Sequence, residues 1–478
     1  MINRLPHLIF LLCMLPGILH ARVLEVGPGR PMTLPSQAAA AAQDGDTISI
    51  DAGSYVDACR WSAHGLLIRG VGGYAHVHDK TWGGKAIWVI QGNNTTVEWI
   101  EFSGATVPDK NGAGIRQEGA NLTIRHCCFH DNEDGILAGD NAASRILIEY
   151  SEFARNGYGD GYSHNMYINH ISEFIIRYSY IHHARVGHNV KSRAFRTFIL
   201  CNGITSGDDG NPSREIDLPN GGLAVIAGNI IVHGVNTENS NLCGYGLEGL
   251  SNPVHNLYVV HNTFATARSA GTFISLPSSG SDTVVVKNNL FAGRAGMLGG
   301  SATTLDTAAN LTAIDIASLR LTDPAAFDYR PLADSPAINA AVDAGLFEGI
   351  PLLPVMEYVH PSTARLRTVA LQADIGALEY LPPASASLAE EPARFSLQGP
   401  WPNPAVDAVT LRVEIRRGAS LNIVLYDMAG KSVSSLQTGE MHAGAHVLRI
   451  RLDGLQRGKY ICRVSDGRDS AVRWLLLR

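Results

Sequence analysis

The run Leu257-Tyr258-Val259-Val260-His261-Asn262-Thr263-Phe264 returns one repeat later as Val284-Val285-Val286-Lys287-Asn288-Asn289-Leu290-Phe291. Each copy is a short apolar strand, a polar turn and an aromatic anchor. Working outward, equivalent anchors stand at Phe102, Phe129, Phe153, Ile181, Ile204, Ile231, Phe264 and Phe291. Their mean step of about 27 residues falls in the range that means a solenoid. Strands rich in β-branched residues, punctuated by Asn and Gly turns, make it a β-solenoid rather than a helical one. The leucine ladder of leucine-rich repeats is missing. Successive coils rise by about 4.8 Å, so equivalent side chains stack into rows and distant residues meet.

A solenoid also explains how 478 residues fold without one oversized core. The 49 glycines and 17% charged residues suit a turn-rich all-β chain. A net charge of -6 gives no global attraction to nucleic acid or anionic membrane, so any anionic ligand must be met by local basic residues. Residues 1–21 read as a secretory signal: Arg4 and His7, an apolar run Leu8 to Leu15, a Pro16-Gly17 break and a small Ala21. No segment approaches the ~20 apolar residues of a membrane helix, so no transmembrane segment is expected. Cysteines 59, 127, 128, 201, 243 and 462 form no CxxC pair and are expected mainly as buried free thiols.

Ser36 to Gln43 is Ala-rich and helix-prone, placed to cap the first open coil before the strand Asp46-Thr47-Ile48-Ser49-Ile50. With Gly228-Asn229-Ile230 turns and the closing phrases Ser335-Pro336-Ala337-Ile338-Asn339 and Asp374-Ile375-Gly376-Ala377, the stretch from Asp44 to Tyr380 resembles right-handed parallel β-helix proteins of the pectate lyase-like superfamily. The expected architecture is all-β: a right-handed parallel β-helix over 22–380, a Pro/Ala/Ser-rich linker over 381–394 and a small C-terminal β-sandwich over 395–478. In the last segment, Trp401-Pro402-Asn403-Pro404, Leu425-Tyr426-Asp427-Met428-Ala429-Gly430-Lys431 and Gly458-Lys459-Tyr460 are similar to the sorting domain of type IX secretion substrates. That resemblance implies a secreted or cell-surface protein whose tail has the secretion machinery as partner. An immunoglobulin-like domain of flagellar hook-cap type, or a plain structural sandwich, shares part of this pattern.

Chemistry concentrates between Gly161 and Gly222, where five of the 18 histidines fall between positions 164 and 188. Asn165-Met166-Tyr167-Ile168, Asn189-Val190-Lys191 and Glu215-Ile216-Asp217-Leu218 follow their anchors at similar offsets and should stack. Period-two alternation predicts Asn165 with Tyr167, Asn189 with Lys191 and Glu215 with Asp217 outward on one face. Lys191, Tyr167, His188, His164, Asp217 and Glu215 are the catalytic candidates; Arg185, Arg193, Asn165, Asn189 and Asn220 are the substrate-binding ones. A lyase of uronate units must neutralise a carboxylate, remove the adjacent proton and protonate the departing oxygen, and these side chains suit that task. Lys191-Ser192 leading into Phe198 to Ile204 resembles the lysine-bearing coil of the chondroitinase B and alginate lyase family, where the lysine is the base. The likeness carries over to Lys191 only: Ala184 to Val190 holds no carboxylate for calcium, and the next coil holds Glu215 and Asp217 instead of an arginine.

Alternatives stay open at this level. Glu215 and Asp217, about 6.6 Å apart on one strand, approach the spacing of an inverting glycosidase pair. A groove of the same residues also suits a non-catalytic glycan-binding or adhesive protein, and a Lys191–Asp217 ladder is equally a structural feature. No metal ligand set is identifiable: His76-Val77-His78-Asp79 and His182-His183 lack a third ligand at recognisable spacing. Calcium is compatible with Asp208-Asp209-Gly210-Asn211, which reads more readily as a polar turn. Leu218-Pro219-Asn220-Gly221-Gly222 offers backbone amides to a sugar or a positive-φ turn. Trp82, Trp88, Trp99, Tyr158 and Tyr162 are equally stacking surfaces for sugar rings or simple packing.

Overall fold

A computed structural model describes residues 22–382, 394–401, 403–427, 431–467 and 469–477. The expected signal segment and most of the expected linker lie outside them. Three parallel ladders wind about one core. The first runs from Val23–Val26 through Ile171–Arg177 to Ala302–Ala308. The second carries the anchors, from Ile100–Ser103 to Leu311–Ala313. The third is a ten-stranded sheet from Cys59–Trp61 to Gly296–Gly299.

All eight anchors pair in register in the order the repeat predicts. Each is 0% exposed. Phe102, Phe129 and Phe153 stack with centroids 4.9 and 4.6 Å apart. Burying each such ring contributes roughly 1.5–3 kcal/mol, and the stack repeats that contribution coil after coil. The Asn of the repeat forms a second internal row. The Nδ2 of Asn202 donates to Oδ1 of Asn229, Asn229 to Asn262, Asn262 to Asn289 and Asn289 to Asn310, at 2.9–3.0 Å. These amides satisfy backbone groups that a tight corner inside a core would otherwise strand. The residue before the row turns the chain through positive φ, as at Cys201 (φ 52°), Gly228 (φ 70°) and His261 (φ 52°).

The expected N-terminal helix is present as Pro35–Ala41, with Ala38 fully buried in the main core. Past Ala313 the chain folds back in three antiparallel hairpins, Leu321–Asp323 with Asp328–Pro331, Leu346–Phe347 with Ile350–Pro351, and Met356–Val359 with Thr363–Leu366. Tyr329, Tyr358 and Ile375 from this segment share a core with Cys201, Ile230 and Leu290, so it covers the C-terminal half of the second ladder. Gly203 is small for this reason: a Cβ there would lie 2.5 Å from the Tyr358 hydroxyl. Beyond 394, a three-stranded and a four-stranded antiparallel sheet enclose their own core, including Leu411, Val413, Leu425, Cys462 and Leu475. Six cysteines, from Cys59 to Cys462, are free thiols.

Candidate functional site

The outward row of the third ladder reads Val89, Arg116, Leu137, Tyr167, Lys191, Asp217, Gly244 and Ser275 by register. Tyr167, Lys191 and Asp217 thus stand side by side on three coils, as alternation requires. The residues two positions earlier do not join them. Asn165, Asn189 and Glu215 are all 0% exposed and form an internal polar row. Asn165 Nδ2 donates to Asn189 Oδ1 at 2.6 Å, Asn189 Nδ2 to Glu215 Oε2 at 2.5 Å, and the other Glu215 oxygen meets His233 Nδ1 at 3.1 Å. The outward expectation for these three is corrected for a geometric reason. The strands are only Met166–Ile168, Val190–Ser192 and Ile216–Leu218, so the preceding residue belongs to the turn and escapes the period of two. Glu215 and Asp217 therefore do not face one cleft as a glycosidase pair.

Around Lys191 the contacts are dense. Its Nζ lies 2.9 Å from Glu248 Oε1 and 3.6 Å from Asp217 Oδ2. Arg193 donates through Nε to the Tyr167 hydroxyl at 2.9 Å, through one terminal nitrogen to Asn220 Oδ1, and through the other to Glu248 Oε2 at 2.5 Å. Arg214 holds Asp217 Oδ1 at 3.0 Å, while His188 Nε2 stands 3.4 Å from Oδ2. The His164 and His188 rings stack at 5.0 Å beside Tyr167, and His164 Nδ1 accepts the backbone N–H of His188 at 3.0 Å.

Electrostatics sort these groups. Burial, then the neighbouring His188 and Lys191 charges, pushes His164 well below the ordinary imidazole value. Burial, then Lys191 and Arg214, does the same to His188, so both rings are neutral at pH 7. Burial pushes the Asp217 carboxyl up, against the pull of Arg214 and Lys191. Partial burial also pushes on Glu248, but hydrogen bonds from Arg193 and Lys191 prevail and hold it at about 2. The result is two fixed cations converging on one half-exposed carboxylate above a buried carboxyl and two neutral imidazoles.

Glu248 and Arg214 are the residues that sequence reading missed. Glu248 sits in Gly246-Leu247-Glu248-Gly249, one coil beyond Asp217, and the bracketing glycines at φ 71° and 108° were the available signal. Arg185 is the reverse case. It reaches Asp131, which also holds Arg155, and among the described residues it makes no hydrogen bond or ion pair with the Lys191 group. Asn220 belongs to the cluster, and its Nδ2 also reaches the Gly249 carbonyl at 3.3 Å. Gly221 and Gly222 adopt φ 65° and 102° beneath Leu250 and Asn252, so the turn explains them. Trp88 is fully buried against Trp61 and Phe102, which removes it from the surface. Trp99 stacks on His126 at 4.6 Å, Arg60 lies over Trp82, and Tyr158 and Tyr162 are exposed just before His164. In the Asp208–Asn211 turn, Asp209 pairs with His183 at 3.1 Å.

Residues 64–205 match the right handed beta helix region family and residues 400–478 the secretion system C-terminal sorting domain. The chain is a right-handed parallel β-helix protein with a C-terminal sorting domain. That tail marks the β-helix protein for export by type IX secretion. Among solved structures, pectate lyase Pel9A is similar at 14% identity with a TM-score of 0.50, over 76% of this chain and 98% of that one. An alginate lyase from Paenibacillus sp. str. FPU-7 is 16% identical with a TM-score of 0.35, over 60% of this chain and 99% of its own. At 14% identity the likeness to the pectate lyase concerns the fold. No curated protein matches the sequence. Among the described residues, no helix is long and apolar enough to cross a membrane.

Proposed function

We propose that this exported β-helix protein is a polysaccharide lyase acting on uronate-containing glycans. One observation carries the reading: Lys191 and Arg193 converge on a single carboxylate, that of Glu248, at the half-buried outer face of the third ladder. A uronate carboxylate has the same charge and planar geometry and suits the same two cations, with Arg193 presenting a directional fork. Paired cations on that carboxylate stabilise the negative charge that develops when the adjacent carbon loses its proton.

Protonation of the departing oxygen is assigned to Tyr167. Lys191, Arg193, Asp217 and Glu248 are engaged in ion pairs, and His164 and His188 are buried. Tyr167 is half-buried, accepts from Arg193 through its oxygen, and has no acceptor for its own proton among the described residues. Lys191, facing two carboxylates, serves as charge rather than as base. Tyr158 and Tyr162, 50% and 87% exposed on the segment leading into His164, are placed to stack on sugar rings. The fold is one that a pectate lyase shares, which agrees with this assignment without carrying it.

The test is a panel of alginate, pectate and glycosaminoglycans with absorbance of the unsaturated product as readout. Product from at least one uronate polymer and none from neutral glycans is the expected result. Measurable glycan binding with no product across the panel makes the protein a non-catalytic glycan binder. New reducing ends without absorbance make it a hydrolase.

A further inference from the structure

A second group of functional side chains lies on a different face of the solenoid. His76, Glu101 and His130 lie on three consecutive coils, His76 at the end of the strand Leu67–His78, which pairs with Ile100–Ser103 at the start of the second ladder. By register His76 pairs with Glu101, and His130 with Ser103, two positions further along the same strand. Their ligand-capable atoms all lie within 4.8 Å of one another, and all three residues are half-buried, open to solvent on one side. Sequence spacing gives His76 no third ligand, because its partners lie on the next two coils; the coil repeat supplies them.

We infer that His76, Glu101 and His130 form a binding site for a divalent transition cation of the zinc type. Two imidazoles and one carboxylate are the donor set that such ions take, whereas calcium prefers an all-oxygen shell. At metal–ligand distances of about 2.0–2.1 Å, tetrahedral ligand atoms stand roughly 3.3 Å apart, so small rotamer shifts close the triad around an ion. The surroundings of His130 point the same way independently. Its Nδ1 is 2.9 Å from Asp131 Oδ2 and its Nε2 is 2.9 Å from Glu101 Oε1. A neutral ring that donates Nδ1–H to Asp131 turns a lone pair on Nε2 toward a carboxylate oxygen. A cation between those two acceptors resolves the conflict. Asp131 then orients the ligating imidazole, the outer-shell arrangement usual for metal-bound histidine. The His78 ring packs at a tilt against His76, centroids 4.5 Å apart, and is held by Ser54 and Asp79, so it supports the ring rather than adding a ligand.

Three protein ligands leave one coordination position open, and the ion would tie three coils together. The site shares no residue with the Lys191 cluster, so it stands or falls apart from the lyase reading.

The experiment uses the purified full-length chain, stripped with chelator and titrated with Zn2+ by calorimetry, with Co2+ absorption as a second readout. One equivalent should bind, the cobalt form should show the visible bands of a four-coordinate site, and the ion should raise Tm. His76→Ala and His130→Ala should each weaken binding by about 100-fold or more. Glu101→Gln, which keeps shape and removes charge, should weaken it by about 10-fold or more and guards against a misfolded alanine variant. His182→Ala, on the same face, should bind as the parent does. Failure of the parent to bind Zn2+ overturns the proposal. Unchanged affinity in folded His130→Ala, or loss in His182→Ala, overturns it by placing the ion elsewhere.

Discussion

Lys191 Nζ lies 2.9 Å from Glu248 Oε1, on a residue 57 positions further along the chain. The solenoid makes that contact ordinary: Lys191 and Glu248 are two coils apart, and the Gly246–Gly249 loop bends the carboxylate back over the row. Glu248 thereby fills the position assigned to the glycan's own carboxylate.

Removing that charge should open the clamp. Glu248→Gln is expected to tighten binding of an anionic oligosaccharide by about 10-fold, near 1.4 kcal/mol, as measured by calorimetry. Acid cannot do the same job in the working range. The folded value of about 2 lies below the usual carboxylate value, so the ion pair is fully present above about pH 4.5 and is lost only as pH falls toward 2. Weaker binding by Glu248→Gln would instead make Glu248 a direct ligand of the sugar.

Tyr167→Phe keeps the ring beside His164 and deletes only the hydroxyl that Arg193 holds. Turnover should fall by about 10²–10⁴, the usual contribution of a positioned acid–base group, while glycan affinity changes by less than about threefold. A parallel loss of affinity would mean that Tyr167 binds rather than reacts.

Arg193 has three directed partners, Tyr167, Asn220 and Glu248, which an ammonium cannot reproduce. Arg193→Lys should lower kcat/KM on the active polymer by at least about 100-fold, roughly 2.7 kcal/mol. Arg185→Lys should leave it within twofold, because Arg185 sits on Asp131. Equal losses in the two variants would return Arg185 to the site.

The anchors and the row Tyr167–Lys191–Asp217 were legible because both obey a repeat: one fixed step per coil, one fixed parity per strand. Asn165, Asn189 and Glu215 were misplaced where parity stops, at the position just before a very short strand. Glu248 was invisible for another reason, since it enters from a loop with no repeat position. His76, Glu101 and His130 show the same limit at longer range. Each was readable as a residue, but only the register of one coil on the next, which pairs His76 with Glu101 and Glu101 with Cys128, brings them to one place.

The asparagine row makes a stability prediction. Asn229 accepts the backbone N–H and the Nδ2 of Asn202, and itself donates to Ile199 and Asn262. Asn229→Ala strands several buried polar groups at once, each costing roughly 1–3 kcal/mol, so a loss of at least about 3 kcal/mol is expected in denaturant unfolding. Thr312→Ala, at the last coil and exposed, should cost under about 1 kcal/mol. Equal losses would mean that the row adds nothing beyond its packing.

His164 gives the sharpest dependence on pH. Its folded value lies well below 6.5, first through burial and then through the charges of His188 and Lys191. A depressed imidazole is protonated in the unfolded chain before it is protonated in the folded one. Its contribution is therefore absent above about pH 6.5 and turns destabilising as pH falls, by about 1.4 kcal/mol per unit. Asp217 and Asp134, both pushed up by burial, act in the opposite sense, so the parent curve mixes the two. A difference measurement separates them. His164→Gln keeps an acceptor for the His188 backbone N–H and carries no titrating ring. Between about pH 5 and 6 its unfolding free energy should fall less steeply than the parent's, by about 1.4 kcal/mol for each pH unit. Parallel curves would mean that His164 is protonated in the folded protein, and the two stacked imidazoles beneath Tyr167 would then be a charged pair rather than the neutral floor described above.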